Sequence, residues 1–158
     1  APECGLDRAE LGLPAAAFAA QGVYRLRSVN GHSNGTIVLQ GTGVTNAFVT
    51  ETLPLINREG LGLNVYVITS CELFDMLPPD ERARIFPEAH QQDAMGITDF
   101  TLATMTRWVR SDYGRAHSLH PFRHGHFLGS GSAAMVMAEA GLDGVSQFEA
   151  IREYVRNR

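Results

Sequence analysis

The stretch that decides the fold is Thr36-Ile-Val-Leu-Gln-Gly-Thr-Gly-Val44, a β-branched run that passes directly into a turn of small residues. A continuous apolar run of this kind is typical of a strand that is buried on both faces. From Val44 to Glu59 the apolar positions follow helical spacing, with a kink or shift expected at Pro54. A second apolar run, Leu63-Asn-Val-Tyr-Val-Ile68, comes next. Strand, helix and strand within about 33 residues predict a βαβ unit with a right-handed crossover and a parallel strand pair.

Further strands are predicted on both sides of this unit. Val23-Tyr-Arg-Leu-Arg27 alternates apolar and charged residues, which indicates a half-exposed strand at a sheet edge. Ala94-Met-Gly-Ile97 predicts another short strand, and Phe127-Leu128 the end of one more. The prediction is therefore an α/β protein with a five-stranded sheet.

Helices and domain limits follow from turn and cap residues. Helices are expected over residues 101–112, 130–140 and 146–158. Ser130 and Ser146 are the expected N-caps of the last two. Residues 1–22, which are rich in Ala, are expected to form a linker or N-terminal arm, and residues 23–158 the domain.

Composition excludes several classes of protein. The chain has 158 residues, a net charge of −4 and 13 basic residues, all of them Arg, which argues against a general nucleic-acid binder. No apolar run has the roughly 18 residues that a membrane span needs. The two cysteines, Cys4 and Cys71, are far apart, so a disulfide framework is not expected and a reducing cytoplasm is the expected location. Val23-Tyr24 and the Trp108 segment are candidate contact surfaces.

The most unusual segment is the Arg/His loop, residues 115–126, which holds four of the six histidines. The spacing of His124 and His126 would put both on one face of a strand, as in a metal pair, with His117 or His120 as a third ligand. Alternatively, the arginines of this region favour binding of an anion or of an acidic partner surface. A third interpretation is a polar loop that packs on a neighbouring domain. The candidate anion- or partner-binding residues are Arg115, His117, His120, Arg123, His124 and His126.

Two glycine turns each follow a predicted strand and precede a predicted helix. They are Gly41-Thr42-Gly43 and Gly129-Ser-Gly-Ser132. Backbone N–H groups at such turns can bind phosphate, and two of them at the carboxyl ends of parallel strands would border a crevice for a small molecule. Tight-turn packing is the simpler interpretation. Neither turn completes a P-loop or a Gly-x-Gly-x-x-Gly motif, and Cys71 has no base near it in sequence.

Four motifs in a fixed order resemble a known family. They are the strand and turn at 36–44, the segment Leu63 to Phe74 that ends in Ser-Cys-Glu-Leu-Phe, the segment Gly125-His-Phe-Leu-Gly-Ser-Gly-Ser132, and Ala140-Gly-Leu-Asp-Gly-Val-Ser146 before a last helix. Over roughly residues 22–158 this pattern resembles the C-terminal (third) domain of transketolase-like, thiamine-diphosphate-dependent enzymes. The family loop is usually Phe-Gly-x-Ser, whereas Leu128 intervenes here.

The resemblance implies a three-layer α/β/α fold with a mixed, mostly parallel five-stranded sheet whose first strand is antiparallel. It implies ketol transfer or 2-oxo acid decarboxylation by the whole enzyme, which is expected to be a homodimer. Thiamine diphosphate and Mg²⁺ would be held by the upstream domains, through a Gly-Asp-Gly…Asn motif that this chain lacks. The segment itself is then expected to bind no cofactor, to carry no catalytic residue and to support assembly. The alternative is a non-catalytic regulatory module that binds an anion or a partner through residues 115–126.

Overall fold

A computed structural model describes residues 7–158. Within that range a single four-stranded sheet forms, with strand order β1-β3-β2-β4. Its strands are β1 (Val23–Arg27), β2 (Gly35–Gln40), β3 (Leu63–Ile68) and β4 (Ala94–Thr98). The α/β class and the four strands at these places were predicted, whereas the count of five strands was wrong.

The pairing of the strands confirms the βαβ unit. β2 runs parallel to β3, in register from Gly35 opposite Leu63 to Gln40 opposite Ile68, and parallel to β4 on its other side. β1 is antiparallel to β3, with an irregularity in register between Arg25 and Arg27. The sheet is therefore mixed, and only its first strand is antiparallel, as the resemblance implied.

The expected fifth strand is reduced to one residue. Leu119 forms an isolated parallel bridge with Ile97: its N–H donates to the carbonyl of Gly96 (2.8 Å), and its carbonyl accepts from Thr98 (3.0 Å). Pro121 follows two residues later and has no N–H with which to continue a ladder. Phe127, expected near the end of this strand, lies in the loop with 90% of its surface exposed.

Helices connect the strands, and further helices come after the last strand in the chain. They are α1 (Thr42–Ala47), α2 (Leu53–Arg58), α3 (Cys71–Asp75), α4 (Pro79–Ile85), α5 (Glu88–Gln92), α6 (Asp112–His117), α7 (Ala133–Glu139) and α8 (Gly144–Arg156). A π-helix, Phe48–Thr52, joins α1 to α2, and 3₁₀-helices cover Ala16–Gln21 and Leu102–Met105. The π-helix lies just before Pro54. Because Pro54 has no N–H to donate in an α-helical turn, the wider π turn accommodates it without ending the helix.

Several helix ends differ from the prediction. Asp143, not Ser146, caps α8, because its carboxylate accepts from the Ser146 N–H (2.7 Å). Ser132, not Ser130, caps α7. The helix expected over 101–112 does not form: a short 3₁₀-helix lies there instead, and α6 begins only after Ser111, whose hydroxyl accepts from Gly114. Local hydrogen bonding by side chains thus decides the ends that apolar spacing left open.

The sheet is buried on both faces, which gives three layers. One face carries Leu39, and its core cluster includes Phe48 and Ile151. The other face carries Tyr66, and its cluster includes Phe86 and Trp108. Val23, Tyr24 and Trp108 are all buried in these clusters, so the expectation that they form a contact surface was wrong. Within residues 7–158 no helix has the length and apolar character that crossing a bilayer requires.

Candidate functional site

A crevice of about 740 Å³ lies at the carboxyl ends of β2 and β3. This is the edge of a parallel sheet where ligands of α/β proteins are commonly bound, and the volume is in the range of a small-molecule site. Its apolar wall is formed by Leu13, Tyr24, Leu26, Val49 and Val67. Its polar rim is formed by Gln40, Thr42, Thr45, Ser70 and Glu72, with Phe100 beside them.

One side of the rim is the turn from β3 into α3. The Ser70 hydroxyl accepts from the Leu73 N–H (3.2 Å) and donates to a carboxylate oxygen of Glu72 (2.9 Å). The pKa of Glu72 is lowered, chiefly by a hydrogen bond from its own backbone N–H and then by the Ser70 hydroxyl. The rim therefore presents an ionised carboxylate at neutral pH, held in place by the helix cap.

α3 is fixed from its other end by an arginine fork. Both terminal nitrogens of Arg107 donate to the Asp75 carboxylate, at 2.9 and 2.6 Å. This bond is the main reason that the pKa of Asp75 is lowered and that of Arg107 raised. Arg107 also lies against the ring of Trp108, with 4.3 Å between the guanidinium carbon and the ring centroid. The fork ties α3 to the segment after the 3₁₀-helix.

The first glycine turn borders the crevice, but its backbone donors are already used. The N–H groups of Gly43 and Val44 donate to the two carboxylate oxygens of Asp99, at 2.8 and 3.1 Å. Gly41 has a φ of +116°, and a Cβ there would collide with the Asp99 carboxylate. The glycines therefore admit Asp99, which neutralises the start of α1, and the turn fits the tight-turn interpretation rather than the alternative of phosphate binding.

The second glycine turn does not border the crevice. The N–H of Gly129 donates to both carboxylate oxygens of Glu139, each at 3.1 Å. Ser132 accepts from the Met135 N–H (3.3 Å). This turn therefore starts and stabilises α7, and only the first of the two turns is at the carboxyl ends of the strands.

Sequence reasoning missed Arg8, which enters the crevice from the segment before β1. Arg8 lines the wall, with its guanidinium carbon 5.9 Å from the centroid of the Tyr24 ring. Its Nε donates to the carbonyl of Pro14 (2.8 Å), whereas one terminal nitrogen is buried without a hydrogen-bond partner. Cys71 also lines the crevice and packs against the apolar cluster of Tyr66. Arg8 lay in a segment without periodicity, so nothing in the sequence pointed to it.

The first half of the Arg/His loop is occupied by internal bonds. Arg115 donates to the carbonyls of Val109 (3.1 Å) and Arg110 (2.7 Å) and forms an ion pair with Asp112. His117 shares a hydrogen bond with the carbonyl of Tyr113 (2.9 Å), and their ring centroids are 4.2 Å apart. Both side chains fix α6 against its surroundings.

The second half of the loop is mostly exposed. His120 is partly buried, with Nδ1 lacking a hydrogen-bond partner, and its pKa is lowered by burial and by the nearby charge of Arg123. The rings of His124 and His126 stack with centroids 6.1 Å apart. In residues 7–158 no three His, Cys, Asp or Glu side chains come close enough to hold a metal ion. The structure pairs these two histidines without a third ligand, and anion or partner binding by the loop stays a prediction.

The segment that most resembles the thiamine-diphosphate motif does not fit the metal ion of that cofactor. The nearest string to Gly-Asp-Gly is Gly141-Leu-Asp-Gly144. Gly141, with a φ of +64°, ends α7, and the Asp143 carboxylate is used as the cap of α8. The carboxylate and amide set that Mg²⁺ requires is not assembled there, so no catalytic step through the cofactor is assigned to this chain.

A partly buried polar pair under the other face of the sheet was also missed. The hydroxyl of Tyr66 and Nδ1 of His90 are 2.6 Å apart, and Arg25 lies over the Tyr66 ring at 5.2 Å. Burial raises the pKa of Tyr66, and burial and the charge of Arg25 lower that of His90. This pair joins α5 to β3. No local pattern could have found it, because the residues are distant in sequence.

Comparisons with known proteins agree with the fold. No family model and no curated protein matches the chain. Among solved structures, transketolase from Leishmania mexicana is similar with a TM-score of 0.64 and 17% identity, over 91% of this chain and 19% of that chain. Transketolase from Campylobacter jejuni gives a TM-score of 0.61 and 16% identity, over 89% of this chain and 20% of that one.

A transketolase from Pichia stipitis in complex with sedoheptulose-7-phosphate gives a TM-score of 0.59 and 17% identity, over 91% and 19% of the two chains. The chain thus spans about a fifth of the length of the transketolases that it matches. At this identity the likeness shows the fold alone, and it confirms at that level the predicted resemblance to a transketolase domain.

Proposed function

We propose that this chain is the C-terminal domain of a transketolase-like thiamine-diphosphate enzyme and that it supports assembly rather than chemistry. The observation that carries the proposal is the fold match, which includes 91% of this chain but only 19% of the transketolase from Leishmania mexicana. A domain that covers about a fifth of an enzyme's length leaves most of that enzyme to other domains. The whole enzyme would catalyse ketol transfer or 2-oxo acid decarboxylation in the cytoplasm.

The donor groups of the chain support a division of labour. The Gly141–Gly144 string is used by two helix ends, and Asp99 is used by the start of α1. Thiamine diphosphate supplies an electron sink for cleavage of a bond next to a carbonyl. We place that cofactor and its Mg²⁺ on the upstream domains, with the present chain holding the protomer, and the homodimer, together.

The surface beside the crevice supports an assembly role. α3 and the residue after it expose Leu73 and Met76, with 44% and 81% of their surfaces accessible, and Phe100 at the crevice is 51% exposed. Leu73 directly follows Glu72 of the rim, and Met76 lies three residues further along the chain. Neighbouring exposed apolar side chains of this size are typical of an interaction surface. The occupant proposed for it is the upstream part of the same enzyme.

The first experiment is the intact mass of the native polypeptide, with peptide sequencing upstream of Ala1. We expect a chain of roughly five times this length, the scale of a multidomain protein, with Gly-Asp-Gly and a later Asn upstream. A native polypeptide that begins near Ala1 and purifies without a thiamine-diphosphate-binding subunit would contradict the proposal.

The second experiment tests the assembly surface in that native protein. Met76→Asp should lower the fraction of assembled enzyme in sedimentation velocity and reduce ketol transfer in proportion, because a charge in an apolar interface is left desolvated. Met135→Asp is the matched control, since Met135 lies on α7 with 67% of its surface exposed. Equal assembly of the two variants would show that the α3 surface is not an interface.

A further inference from the structure

Arg8 is the one basic residue in the lining of the crevice at the carboxyl ends of β2 and β3. Within residues 7–158 its guanidinium forms no ion pair, and its one hydrogen bond runs from Nε to the carbonyl of Pro14 (2.8 Å). One terminal nitrogen is buried without a partner. Several other arginines pair with carboxylates, as Arg107 does with Asp75. The positive charge in the crevice therefore has no carboxylate at ion-pair distance in this part of the chain.

The carboxylates closest to this guanidinium in the sequence and in the crevice have other partners. Asp7 accepts from the N–H groups of Ala9 (2.9 Å) and Glu10 (3.2 Å). Glu72 is the one acidic residue in the lining of the crevice, and it accepts from the Ser70 hydroxyl (2.9 Å) at the exposed rim. Since partial burial of a cation without a partner is unfavourable, a bound anion would stabilise this arrangement.

The guanidinium of Arg8 is held against the apolar wall of the crevice. Its central carbon is 5.9 Å from the centroid of the Tyr24 ring, and Tyr24 belongs to that wall together with Leu26 and Val67. The hydrogen bond to Pro14 fixes the side chain from the other side. A guanidinium that is already in place loses little conformational entropy when it binds an oxyanion. The arrangement therefore fits a ligand with one charged end and an apolar body.

We propose that the crevice binds a small organic monocarboxylate with an apolar body, whose carboxylate lies on Arg8. One guanidinium charge matches one carboxylate, and the two form a charge-assisted hydrogen bond. Glu72 at the rim disfavours a second negative charge on the ligand, which argues against dicarboxylates and phosphate dianions. The volume of about 740 Å³ has room for a hydrocarbon or aromatic group against Leu26, Val49 and Val67. This binding does not depend on the assembly role of α3.

The test is isothermal titration calorimetry on the native protein that contains this chain, with hydrocinnamate as the probe. We expect a saturable site for this carboxylate in the parent. Hydrocinnamamide, which has the same body without the charge, should bind about tenfold more weakly, because a hydrogen bond between charged groups is lost. Acetate, which lacks the apolar body, and succinate, which has a second charge, should also bind more weakly than hydrocinnamate.

Variants then assign the site to Arg8. Arg8→Gln should lower the affinity for hydrocinnamate about tenfold, whereas Arg8→Lys, which keeps the charge, should lower it less. The matched control Arg123→Gln, at an exposed arginine of the Arg/His loop, should bind like the parent. Sites on other domains are common to all variants and cancel in the comparison.

Four results would overturn the proposal. They are the absence of hydrocinnamate binding by the parent, equal binding of the amide or of succinate, unchanged binding by Arg8→Gln, and an equal loss in Arg8→Lys and Arg8→Gln. The last result would assign the effect to packing of the segment before β1 rather than to charge. The comparison of carboxylate with amide uses the parent protein, so it stays valid if a variant folds poorly.

Discussion

Gln147 is the residue whose replacement should most clearly test how α8 is held to the helical segment behind the crevice. The side chain is fully buried. Its amide nitrogen donates to the carbonyls of Val44 (3.1 Å) and Leu142 (2.8 Å), and its amide oxygen accepts from the Thr52 hydroxyl (3.0 Å). Gln147 therefore joins α8 to α1 and to the π-helix that follows it.

The change to make is Gln147→Met, which retains the length and volume of the side chain and removes its polar groups. Three hydrogen bonds are lost, each with a net value of about 1 kcal/mol, and the partners left behind are buried. The Thr52 hydroxyl retains the carbonyl of Gly144 (3.1 Å) as a partner, which limits the loss. We expect a decrease of about 3 kcal/mol in the free energy of unfolding.

The assay is urea unfolding followed by circular dichroism, with Gln92→Met as control. Gln92 is exposed on α5, and its replacement should change stability by no more than about 0.5 kcal/mol. Thr52→Val combined with Gln147→Met should cost less than the sum of the single changes by about 1 kcal/mol, because the bond between the two side chains is lost only once. A cost below about 1 kcal/mol for Gln147→Met, or full additivity, would refute this account of the network.

Two further predictions concern Asp99 and Tyr154. Asp99→Ala should lower the free energy of unfolding by about 2 kcal/mol, because the N–H groups of Gly43 and Val44 lose a charged acceptor. Asp99→Asn should lower it by about half as much. Equal decreases for the two variants in urea unfolding would contradict the role of the charge. Burial raises the pKa of Tyr154 to about 12, above the unfolded value of about 10. Stability is therefore fully present below pH 10 and falls by about 3 kcal/mol as the pH rises from 10 to above 12. Tyr154→Phe should reduce that loss in unfolding curves measured across this range, with a remainder from Tyr66 and Tyr113, whose pKa values burial also raises. An unchanged loss would show that Tyr154 does not contribute.

The order of the elements was predictable because it depends on local patterns. β2, β3 and the helix between them follow from apolar runs, glycines and one proline, and these patterns do not depend on distant residues. The fifth strand was predicted wrongly because the residues that pair with β4 are those around Leu119 rather than Phe127. Leu119 is fixed beside β4 by its hydrogen bonds with Gly96 and Thr98. Such contacts between distant residues cannot be read from a local sequence pattern.

The candidate site was less predictable, since its chemistry depends on which groups find partners. The Gly43 N–H and the Arg115 guanidinium both resembled ligand-binding groups. In the fold the first donates to Asp99 and the second forms an ion pair with Asp112. Asp99 is 56 residues from Gly43 in sequence, so no motif could reveal the contact. The converse case is Arg27, which looked like an ordinary polar position of an edge strand, whereas one of its terminal nitrogens is buried without a hydrogen-bond partner.

Groups without an internal partner are the more informative guide to function in this domain. A fold satisfies nearly all of its buried polar groups, because each exception costs free energy. Among the arginines of residues 7–158 the exceptions are Arg8 and two residues of β1, Arg25 and Arg27, and the exposed Leu73 and Met76 lie next to the crevice. Composition gave no indication of where these exceptions lie, since the arginines are spread through the whole sequence. We therefore expect substitutions at Met76, which is 81% exposed, to lower the fraction of assembled enzyme while the stability of the domain stays unchanged.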